Sequence, residues 1–93
     1  MRQISIVVRP AVEADAAAIS ALLNELGYLL GVRQVRHNIS LLSASVSDAI
    51  FVAEAASTEA ASTVIGVISF HVMPLFHVVG NLGRISSLVI SPQ

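Results

Sequence analysis

The sequence predicts an α+β fold of order β-α-α-β-β-β, a mainly antiparallel sheet with two helices. Three observations predict it: a β-branched run opens the chain, two stretches of helical periodicity follow, and three strand-like runs joined by short links fill the second half. Consecutive strands with short links pair as an antiparallel meander. Helices that precede them, instead of alternating with them, pack on the sheet without making it doubly wound. A chain of 93 residues is long enough for one modest core, so residues 1–93 form a single domain.

Ile4 to Arg9 is β-branched and ended by Pro10, which predicts the first strand. Glu13 and Asp15 sit where a helix dipole favours carboxylates. Ile19, Leu22, Leu23 and Leu26 then recur at the spacing of one buried stripe, until Gly27 stops the helix. Val12 falls at the N-cap, where Ser, Thr or Asp is expected, so the acidic first turn has to compensate. Tyr28 to Val32 is an apolar connector. Val35, Ile39, Leu42 and Val46 keep helical spacing in a second helix of about Arg33 to Ser45. Ala49 to Glu54 reads as a strand and Ala55 to Ser62, made of small residues, as a turn or loop. Thr63 to His71 is a long β-branched strand. Met73 to Gly83, with Pro74, Gly80, Asn81 and Gly83, has to turn, and Arg84 to Ile90 is a last strand ended by Pro92.

Composition excludes several functions. Only 12% of residues are charged, all five cations are arginines, and the net charge is -1, so no basic patch exists to neutralise phosphates and nucleic acid is not an expected partner. Without cysteine there is neither a disulfide framework nor a thiolate metal site, and a cytoplasmic protein is the default expectation. The opening apolar run is too short for a secretory signal. Ala60 to Gly83 is free of formal charge and long enough to cross a bilayer. It nonetheless holds His71, His77, Asn81, Pro74 and three glycines among β-branched residues, which suits a strand pair and not a membrane span.

Val8-Arg9-Pro10-Ala11, followed by Asp15-Ala16-Ala17-Ala18-Ile19, resembles the opening strand and first helix of the GNAT superfamily of acetyl-CoA-dependent N-acetyltransferases. Phe51-Val52-Ala53-Glu54 and Val64-Ile65-Gly66-Val67-Ile68 are similar to its second and third strands, and Ile85-Ser86-Ser87-Leu88-Val89-Ile90-Ser91-Pro92 to its fourth. The resemblance spans nearly the whole chain but only the N-terminal part of the family's fold. In the family a Q/R-x-x-G-x-G/A loop and helix follow the fourth strand and hold the coenzyme A pyrophosphate on backbone N–H groups. Here the sequence ends at Gln93, so a truncated domain is expected.

The resemblance implies acetyl transfer from acetyl-CoA to a primary amine, on a small molecule or peptide, in intact relatives. The alternative is a non-catalytic dimerisation or binding module that keeps the scaffold. Main-chain groups of Leu88, Val89 and Ile90 would run beside the pantetheine arm of acetyl-CoA, and Tyr28 and His71 would line the acceptor pocket. Tyr28 is equally readable as a half-buried aromatic sealing the helix pair. The base often supplied by a fourth-strand Glu falls near Ser86 or Ser87, neither of which is a base without a partner, so the catalytic residues stay unassigned. His71 and His77 flank the turn around Pro74 and are expected to face each other across it. With no third ligand and no carboxylate nearby in the sequence, they do not predict a metal site. Finally, a fourth strand that is apolar on both faces and lacks a further neighbour is an exposed edge, which predicts a homo-oligomer paired through it.

Overall fold

A computed structural model describes residues 4–57, 60–77 and 79–91. Strand β1 (Ile4–Pro10) leads through a short 3-10 turn (Glu13–Asp15) into helix α1 (Ala16–Glu25) and then helix α2 (Val32–Ser43). Three strands follow: β2 (Asp48–Ser57), β3 (Ala60–Pro74) and β4 (Asn81–Ile90). All four strands pair antiparallel in the order β1-β2-β3-β4, with both helices on one face. This is the α+β arrangement the sequence predicts.

Val12 does cap the first turn without a side-chain acceptor of its own. Asp15 reaches back instead, its carboxylate accepting the Val12 N–H at 2.8 Å and two guanidinium bonds from Arg9, also at 2.8 Å. Arg9 makes a longer contact of 3.4 Å to Glu54 on β2, so a single guanidinium ties β1, the turn and the neighbouring strand together. Arg9 and the Val12 N–H hold Asp15 below the usual carboxylate range, and the bonds to Asp15 and Glu54 raise the arginine. Gly27 ends α1 as expected. Its φ of +94° is open to glycine at little cost, and it lets Tyr28 N–H reach back to the Leu23 carbonyl at 3.0 Å.

Three expectations are corrected. Ala55 to Ser62 is not a loop: β2 runs on to Ser57 and β3 begins at Ala60, because ladder bonds to both neighbours outweigh the weak strand preference of Ala and Ser. Residues 58 and 59 of that stretch lie outside the described residues. Leu26 falls past the end of α1 and is about half exposed, and Val46 lies beyond α2 and is fully exposed, so each helix buries one stripe position fewer than its spacing suggests. The last turn is also tighter than expected. β3 and β4 continue to pair as far as Pro74 opposite Asn81, and the chain reverses through Gly80 at φ +129°.

The core lies between the helices and one face of the sheet. Ile19 and Leu22 of α1 and Val35 and Ile39 of α2 cover a row of paired valines, Val52, Val67 and Val89, one from each of β2, β3 and β4. Val52 and Ile39, 1% and 2% exposed, are its largest fully sealed side chains. The other face carries the row Pro10, Phe51, Ile68 and Leu88, paired in the same manner, and no helix among the described residues covers it. The Cα radius of gyration, 15.0 Å, exceeds the value of about 12 Å expected for a closed domain of this length, as a sheet layered on one side only should. Among the described residues no helix is long and apolar enough to cross a membrane, and the stretch expected to be a strand pair holds β3 and the start of β4.

Candidate functional site

β3 and β4 pair regularly except at one place. Ser69 is opposite Ser87 and Phe70 is opposite Ile85, so Ser86 is the extra residue of a β-bulge. A bulge re-aims the side chain at which it occurs. Here it turns Ser86 to the same side as Ser87, toward the helices, and both serines line a pocket of about 190 Å³ between helices and sheet. The pocket is mostly apolar, walled by Ile19, Leu23, Leu30, Ile39, Leu42 and Ile50, with Ser69, Ser86 and Ser87 at its polar end.

Behind Ser86 lies a chain of hydrogen bonds that crosses three strands. Ser86 Oγ is 2.5 Å from His71 Nε2, and His71 Nδ1 is 2.6 Å from Asp48 Oδ1. Asp48 accepts a further bond, 2.7 Å long, from the Ser45 hydroxyl at its other oxygen, while Ser69 Oγ stands 2.6 Å from Ser86 Oγ. The bond from Ser45 and that from His71 hold Asp48 below the ordinary carboxylate range, so it is ionised at neutral pH and can only accept. Nδ1 must therefore carry a proton. In the neutral imidazole this leaves Nε2 as the acceptor for the Ser86 hydroxyl. A carboxylate that orients an imidazole, and an imidazole that can take a hydroxyl proton, form the donor-acceptor sequence that activates an oxygen nucleophile or relays a proton.

The sequence reading places some of these residues and misses others. His71 is at the site, but it does not face His77. It meets Asp48 across β2 and Ser86 across β4, whereas His77 lies exposed in the β3–β4 turn. The absence of a carboxylate near His71 is likewise corrected, since Asp48, 23 residues earlier, is brought opposite it by antiparallel register. The expectation that Ser86 needs a partner is met by His71. Tyr28 stands in the connector, 53% exposed, and Leu30 of the same connector lines the pocket. On β4, Val89 enters the core while Leu88 and Ile90 point to the uncovered face. Among the described residues β4 is paired on its β3 side only, leaving its other edge with ladder groups unclaimed by any strand.

No family model matches the sequence, and no curated protein is similar enough to count as a relative. Among solved structures, the chain is similar to a GNAT family acetyltransferase of Staphylococcus aureus with a TM-score of 0.74. The match covers 95% of this chain at 16% identity. The chain thus has a GNAT-like α+β fold. It spans 64% of the length of that structure.

Proposed function

We propose that this chain is the N-terminal part of an N-acetyltransferase-type domain that transfers acetyl from acetyl-CoA to a primary amine of a small molecule or peptide, in the cytoplasm. The single observation that carries the reading is a GNAT-like sheet whose bulged fourth strand sets Ser86, backed by His71 and Asp48, at the mouth of a pocket. The free edge of β4 suits the amide-bearing pantetheine arm of acetyl-CoA, because main-chain N–H and C=O groups at Leu88, Val89 and Ile90 are the partners such an arm requires. Acetyl-CoA supplies the activated acyl group. The chain's own residues supply the rest: edge N–H groups that polarise a carbonyl, the pocket that holds the acceptor, and His71, which takes the amine's proton through the Ser86 hydroxyl.

Acetyl-CoA at a hundredfold excess over its Kd stabilises the fold by about 2.7 kcal/mol, which a thermal shift of several degrees reports. Labelled acetyl then appears on an amine acceptor. Absence of both the shift and the product removes the reading.

A second reading, a GNAT-like module that pairs with another copy of itself, draws on the β4 edge and on the exposed side chains beside it, Leu88 at 55% and Ile90 at 67%. Extended strands at an open edge add to one another readily. Sedimentation should then show a dimer that Ile90→Lys converts to monomer. A wild-type monomer at tens of micromolar ends this reading.

A further inference from the structure

We propose that Ser86 is itself a nucleophile, giving the chain a serine-esterase activity toward short-chain acyl esters or thioesters that is independent of acetyl-CoA and of an amine acceptor. The geometry has the three parts such chemistry needs. Ser86 Oγ lies within hydrogen-bonding reach of His71 Nε2, the base. Asp48 fixes that base through Nδ1, in the required tautomer, and Ser45 fixes Asp48. The bulge exposes Ser86, and the nearby apolar pocket of about 190 Å³ exceeds the ~150 Å³ cavity known to admit benzene, so an acyl chain of a few carbons fits it.

The reaction proceeds in two halves. Ser86 Oγ bonds to the acyl carbon as its proton passes to His71 Nε2. The bond from acyl carbon to the leaving oxygen or sulfur then breaks, and the leaving group takes that proton as an alcohol or thiol. Water next attacks the acyl-Ser86 ester and gives a proton to His71, which returns it to Ser86 as the carboxylic acid departs. Ester and water are consumed; acid and alcohol are produced. Amide groups at the open edge of β4, the strand that carries Ser86, are the available donors for the oxyanion of both halves.

The full 93-residue chain should take up one fluorophosphonate probe per molecule, mapped by peptide mass spectrometry to Ser86, and should hydrolyse p-nitrophenyl butyrate. Ser86→Ala should abolish labelling and lower hydrolysis at least ~100-fold, as should His71→Asn. Asp48, a positioning residue, should show as Asp48→Asn with a reduced kcat at unchanged KM, while Ser40→Ala behaves as wild type. Circular dichroism and melting temperature establish that each variant is folded. Label on another residue, no label at all on the folded wild type, or Ser86→Ala hydrolysing like wild type overturns the proposal. Labelling of Ser86 without any acetyl-CoA-dependent product sustains it while removing the acetyltransferase reading. Acetyl transfer without labelling does the reverse.

Discussion

On one side of the sheet the row Val52, Val67 and Val89 is sealed beneath α1 and α2, whereas one residue along each strand the row Phe51, Ile68 and Leu88 looks outward with no helix of the described residues above it. The two rows are equally apolar, so hydrophobicity alone does not say which of them is core. What separates them is the amphipathic stripe of each helix, which can cover one face only. Strands that are apolar on both faces are the kind found with layers on both sides of a sheet. The comparison therefore teaches that β2, β3 and β4 have the composition of central strands even though the described residues supply a covering layer to one face.

The comparison breaks or sharpens in three ways. Ile39→Ala, at the centre of the sealed face, should cost about 2–5 kcal/mol in urea unfolding, the loss typical of a large aliphatic side chain cut back in a packed core. A cost no greater than that of an outer-face substitution would mean that the helices do not seal the sheet.

Asp15→Asn comes next, at about 1 kcal/mol: the Asn side-chain oxygen can still accept the Val12 N–H, and what is lost is the charged two-pronged pair with Arg9. Because the folded carboxyl titrates below its ordinary 3.8, its contribution is complete above that value and disappears as pH falls through the lowered folded one. Wild type and Asp15→Asn should therefore differ at pH 6 and draw together only as pH falls well below 3.8 in melts across the acid range. A gap that persists in acid would assign the effect to packing instead of charge.

The smallest effect belongs to the outer face. Leu88→Ser should change monomer stability by less than about 0.5 kcal/mol, as at any exposed site. A loss comparable to that of Ile39→Ala would reveal that the outer row is covered in solution.

Element order and type were legible because β-branched runs and helical spacing are local properties, and the helix stop at Gly27 rests on one residue's backbone freedom. Strand ends were less legible: Ala55, Ala56 and Ser57 owe their extended form to neighbours on both sides, which no local preference records. The hydrogen-bonded chain at the site was hidden for the same reason. Asp48, His71 and Ser86 are separated by 23 and 15 residues and meet only through strand register. A local signal did exist. Ile85 and Leu88 both face outward although three residues apart, which a strand of strict alternation cannot do, and the Ser86-Ser87 pair between them marks the place where β4 carries one residue too many.

That surplus residue separates architecture from chemistry in an unusual way. Removing Ser86 by a single-codon deletion would leave Ser87 opposite Ser69 and Ile85 opposite Phe70, closing the ladder without moving any other pair. The shortened protein would keep its scaffold and lose its reactive hydroxyl, so gain or loss of function at this position is within reach of one genetic event that the fold need not resist.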